Sequence, residues 1–75
     1  MEIEELGIEV TWSGDWIEIR YQEGAQIEWT PEKERAVLDA LGLKPWAWRL
    51  GAGRLVRASD GRLVEIVEIA RREGE

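Results

Sequence analysis

Thr30-Pro31 at one end and Gly42-Leu43-Lys44-Pro45 at the other confine helix to the middle of this chain. The Thr hydroxyl accepts a hydrogen bond from a free amide of a first helical turn, and Pro at the first helical position forfeits no intrahelical bond. Glu32 and Glu34 complement the positive end of the helix dipole, Arg35 and Asp39 stand four apart, and Val37, Leu38, Ala40 and Leu41 form an apolar side. Gly42 followed by Leu43 fits a Schellman ending in which Leu43 packs back on Leu38, and Pro45 blocks any continuation. These signals predict one helix over residues 31–42.

The flanking segments read as strand. Residues 8–12 and 16–21 alternate apolar and polar side chains with period two, and Ser13-Gly14-Asp15 between them makes a hairpin. A third short strand is expected at residues 26–29, where Ile27 and Trp29 resume the alternation. Beyond Pro45, residues 46–50 and 54–58 read as two short strands separated by a tight Gly51-Ala52-Gly53 connection. Asp60-Gly61 then predicts a second hairpin, with Leu63 to about Ile69 returning along the preceding strand. Leu63, Ile66, Val67 and Ala70 also match a helical stripe, but four of the eight residues from Leu63 to Ala70 are β-branched, which favours strand. The expected fold is α+β: a small single-layer antiparallel sheet of about five strands with one helix on one face, connected ββ(β)αβββ, in a single domain over residues 1–75.

Composition narrows the chemistry. The 75 residues include no Cys and no His, which removes disulfides, thiolate or imidazole metal sites and the commonest nucleophiles and bases. Ser13 and Ser59 sit beside turn residues and outside any Gly-x-Ser-x-Gly elbow. Asp15 with Glu18, or Glu65 with Glu68, offers paired carboxylates, for which solvated strand edges are the expected role. Gly51-Ala52-Gly53 lacks the Gly-Lys-Ser/Thr ending of a phosphate loop and the third Gly of a dinucleotide fingerprint, and the Glu2, Glu4 and Glu5 cluster has no calcium-loop pattern around it. The chain is therefore expected not to be an enzyme, with no catalytic residue, cofactor or metal ligand.

Charged residues make up 35% of the chain against a typical value of about 25%. Asn is absent, and Arg outnumbers Lys by eight to two, a profile expected of a thermophile-derived protein. Apolar runs fall far short of the roughly 20 residues of a membrane span, and Met1-Glu2-Ile3-Glu4-Glu5 lacks the basic start of a signal peptide. A cytoplasmic location is the expectation.

Charge is distributed unevenly within the net −6. Residues 1–43 hold eleven acids and three bases, whereas residues 44–62 hold Lys44, Arg49, Arg54, Arg57 and Arg62 against Asp60 alone. Trp46 and Trp48 lie in this basic stretch, and interleaved aromatic and cationic side chains suit either a protein interface or single-stranded nucleic acid. The total field opposes a polyanion. The expected function is a non-catalytic binding or regulatory module docking on a protein partner through Trp46, Trp48, Arg49, Arg54, Arg57 and Arg62. Nucleic-acid binding through the same residues is the alternative. Five Trp in so short a chain exceed what its core can enclose, so several of Trp12, Trp16, Trp46 and Trp48 are expected on the open sheet face, where they would make a homodimer surface.

Overall fold

A computed structural model describes residues 1–72. The elements run β1 (Glu2–Ile3), a 3-10 turn (Glu4–Leu6), β2 (Ile8–Ser13), β3 (Trp16–Tyr21), α1 (Pro31–Ala40), β4 (Trp48–Arg57) and β5 (Leu63–Arg71). The strands form one antiparallel sheet in the order β1-β2-β3-β5-β4, with α1 on one face. No helix among the described residues is long and apolar enough to cross a membrane.

The helix boundaries follow from the capping residues. The Lys33 amide donates to Thr30 Oγ1 at 3.1 Å. At the far end the Leu43 amide reaches the Leu38 carbonyl and the Gly42 amide the Asp39 carbonyl, the paired bonds of a Schellman motif. Gly42 has φ +77, a conformation that an L side chain enters at a cost of roughly 1–2 kcal/mol. Thr30→Ala is accordingly expected to lower stability by about 0.5–2 kcal/mol and Gly42→Ala by about 1 kcal/mol or more. Urea midpoints that leave both variants unchanged would contradict these roles.

Residues paired across an antiparallel sheet share a face. Ile8 and Val10 of β2, Ile17, Ile19 and Tyr21 of β3, and Val67 of β5 therefore face the helix, where they join Val37 in the buried cluster. The alternation that marked these strands in the sequence is the alternation between this core and the other face.

Three expectations need correction. Residues 26–29 form no strand. The carbonyls of Gln26, Ile27 and Glu28 instead point at the ammonium of Lys33, with Ile27 closest at 2.9 Å, so a side chain does part of the work of a neighbouring strand. The fifth strand of the sheet is the short β1. Residues 46–50 and 54–58 are not two strands, since residues 48–57 run continuously along β5 with a bulge between Leu50 and Gly53. Lastly, several of Trp12, Trp16, Trp46 and Trp48 are expected on the open face, and of these only Trp16 lies there. Trp12 follows Ile8 and Val10 onto the helix side, Trp48 shares the side of Leu50, and Trp46 sits in the turn before β4.

Candidate functional site

Lys33 lies on the buried side of α1, one turn before Val37, and is only 4% exposed. Glu65 interrupts the apolar helix-facing series of β5 and is 7% exposed, rather than a solvated edge residue. Tyr21, the last residue of β3, lies between them. Its hydroxyl accepts from Lys33 Nζ at 2.8 Å and donates to Glu65 Oε1 at 2.5 Å. Trp29 Nε1 donates to both Glu65 oxygens at 3.0 Å. The ammonium also stands 4.2 Å from the Trp29 ring centre and 4.6 Å from that of Tyr21, within the range of cation–π attraction.

This arrangement brings two opposite charges indoors and joins them through a phenol. Burial pushes the Tyr21 hydroxyl well above its ordinary value, helped by its hydrogen bond to Glu65 and by the charge of that carboxylate. Burial lowers Lys33, and the negative charge of Glu65 opposes that shift. No buried side-chain polar atom among the described residues is left without a partner. The cluster therefore works as a clamp: it ties α1, β3, β5 and the irregular 22–30 segment together.

The clamp also accounts for Gly53. A Cβ at that position would lie 2.7 Å from Glu65 Oε2 and 3.3 Å from Val67 Cγ2. Gly53 clears space for the carboxylate across the β4–β5 ladder, a role unrelated to a tight turn or a phosphate. Beside it opens a recess of about 400 Å³ lined by Trp29, Pro31, Leu50, Gly53, Glu65 and Val67.

The residues nominated from sequence do not form one patch. Trp46 is 69% exposed in the turn before β4, with Lys44 Nζ 5.7 Å from its ring, and borders a groove of about 720 Å³ against α1. Trp48 is half-buried under the Arg71 guanidinium, 5.3 Å away. Arg49 and Arg54 project from the open face of β4. Arg57 projects on the other side and donates to the Gly61 carbonyl at 2.7 Å, while Arg62 lies in the β4–β5 turn with its amide on Asp60 Oδ1. Trp48 and Arg57 are the two ends of the ten-residue β4, roughly 30 Å apart.

The structure does bring together the outer half of β4. Among the described residues, the ion pairs are Arg20 with Glu18 and Arg20 with Asp60, both at 3.8 Å. Among the described residues, Arg49, Arg54 and Arg57 thus have no carboxylate within 4.0 Å. Between them Leu55 and Val56 are 46% and 36% exposed. Comparisons with protein families, curated proteins and solved structures find no match to this chain.

Proposed function

We propose that this chain is a non-catalytic binding module that docks on a protein partner through the β4 side of its sheet. The observation that carries the reading is an edge strand whose exposed Leu55 and Val56 lie among arginines that have, among the described residues, no acidic neighbour in ion-pair range. Arg is enriched at protein interfaces, whose buried centres are more apolar than the surrounding surface.

The alternative, nucleic-acid binding, draws on the same arginines and on exposed Trp46. It is weakened by geometry, since Trp46 and Trp48 stand at the opposite end of β4 from Arg57 and Arg62, and Trp48 faces away from Arg49 and Arg54. Immobilised chain and its Arg54→Glu variant, exposed to source lysate with and without nuclease, separate the two. Retention of a protein by the parent chain, its loss with Arg54→Glu and its indifference to nuclease are expected. Capture that depends on intact nucleic acid, or tight single-stranded oligonucleotide binding at about 150 mM salt, would reverse the choice.

A homodimer through the open face belongs to the same proposal on narrower ground. Trp16, 46% exposed, and half-buried Ile66 are its apolar part, because Val64 on that face is already covered within the monomer. Sedimentation of the parent chain at about 100 µM is expected to give twice the monomer mass, and Trp16→Glu to reduce it. A monomeric parent chain would remove the dimer from the proposal.

A further inference from the structure

β4 is the edge of the sheet, but its two halves are treated differently. Before the bulge the edge is covered: the outward amide of Leu50 donates to Glu34 Oε2 at 3.0 Å, which ties the strand to α1. After the bulge the hydrogen-bond alternation can be followed from the neighbouring strand. The Ile69 amide bonds to Asp15 on the β3 side, so the odd-numbered residues of β5 point to β3 and the even-numbered ones to β4. Ile66 and Val64 therefore bond Arg54 and Val56, and the Ala58 amide continues the ladder to the Arg62 carbonyl. The amides and carbonyls of Gly53, Leu55 and Arg57 are left pointing outward from the sheet.

Natural edge strands are usually kept from pairing by a bulge, a proline, a covering element or a charge. Past the bulge, this edge has only Arg54 and Arg57. Positive charge discourages β4 from pairing with a second β4, because like charges would then lie along one ladder. The same charge favours a strand of opposite sign. The acidic β1 and β2 do not cancel this preference: even β2, the nearer, lies three strand spacings away, about 14 Å, beyond one Debye length of about 8 Å at physiological salt. On the helix side, the recess bared by Gly53 lies directly beside the edge, with Trp29, Leu50 and Val67 in its wall.

Resting on the docking function proposed above, we infer that an extended acidic segment of the partner protein adds to the outer edge of β4 at Gly53–Arg57 as a sixth strand. Backbone hydrogen bonds to Gly53, Leu55 and Arg57 hold it, a carboxylate on the open face meets Arg54, and an apolar side chain on the helix face enters the recess beside Gly53.

The test uses the full chain, labelled with ¹⁵N, and three end-blocked hexapeptides: alternating Glu and Val, alternating Lys and Val, and the acidic sequence N-methylated at alternate amides. The acidic peptide is expected to shift the amide signals of Gly53, Leu55 and Arg57 and to slow their hydrogen exchange about tenfold or more. The basic and N-methylated peptides are expected to bind at least about tenfold more weakly, the equivalent of about 1.4 kcal/mol. Leu55→Pro removes one outward amide without touching the β5 ladder and is expected to abolish binding while the remaining amide spectrum persists. Arg54→Glu provides a second variant that leaves the backbone unchanged and should also weaken the acidic peptide. Equal binding of the basic peptide, binding without protection of those three amides, no binding of the acidic peptide, or the same protection produced by an oligonucleotide or by self-association would each overturn strand addition. If the acidic peptide fails while Arg54-dependent capture of a protein persists, docking stands and strand addition falls; if both fail, docking falls as well.

Discussion

Glu65→Ala is expected to lower stability by about 3–5 kcal/mol, most of what a domain of this length has available. The carboxylate is the shared acceptor of Tyr21 and Trp29, so its loss strands two donors and leaves the Lys33 ammonium, 4% exposed, without a compensating charge. Removing one member of a buried charged pair costs far more than the pair contributes in net terms, because the remaining charge stays desolvated. Glu68 supplies the control. It lies three residues further along the same strand, exposed on the open face, and Glu68→Ala should stay within about 0.5 kcal/mol of the parent. The double variant Lys33→Met with Glu65→Leu removes both charges and should be more stable than Glu65→Ala alone, with a coupling energy above about 1 kcal/mol in the double-mutant cycle. Urea unfolding of the parent chain, Glu65→Ala, Glu68→Ala, the single variants Lys33→Met and Glu65→Leu, and their double variant measures all of this. A loss below about 1 kcal/mol for Glu65→Ala would mean that water replaces the carboxylate and that the clamp is not what holds the 22–30 segment.

The parts of the fold that were legible in the sequence are those set by neighbours in the chain. The Thr30 cap, the Gly42 ending, both hairpins and the strand character of residues 63–69 each depend on a few consecutive residues, and each is present in the structure. The misread parts depend on partners far away in sequence. Residues 26–29 alternate like a strand, yet their carbonyls are taken by a lysine on the helix. Gly51-Ala52-Gly53 resembles a break because what fills the space over Gly53 comes from β5. The linear charge map failed in a related way: it adds Arg54 and Arg57 together although alternation sends them to opposite faces. The clamp did leave a trace in the sequence. Lys33 stands four residues before Val37 on the apolar stripe of the helix, and Glu65 is the one acid in the series Leu63, Glu65, Val67, Ile69. One base and one acid, each placed where its own element should be apolar, point to each other, and Tyr21 at the end of β3 completes the connection.

Gly53→Ala is expected to cost about 1–3 kcal/mol, the range of overpacking in a well-filled core. Taken by itself, β4 suggests the reverse, since replacing Gly by Ala in a strand reduces the freedom of the unfolded chain and usually stabilises by several tenths of a kcal/mol. The new methyl group would lie 2.7 Å from Glu65 Oε2. A carboxylate end could ordinarily swing away, but this one is held by Trp29 at 3.0 Å, and its other oxygen is bound to Tyr21. Any swing breaks the bonds that keep Lys33 neutralised, and Val67 at 3.3 Å narrows the remaining path. Gly51, two residues earlier, tests whether the cause is local backbone or the carboxylate. A methyl there meets Glu68 at 3.5 Å, ordinary van der Waals contact, so Gly51→Ala should be neutral or slightly stabilising. Combining Gly53→Ala with Glu65→Ala provides the decisive comparison. If the carboxylate is the obstacle, Gly53→Ala adds little to Glu65→Ala, and the pair costs less than the two single losses together. Strict additivity in urea would place the strain in the β4 bulge instead, and the requirement for glycine at this position would then belong to the backbone.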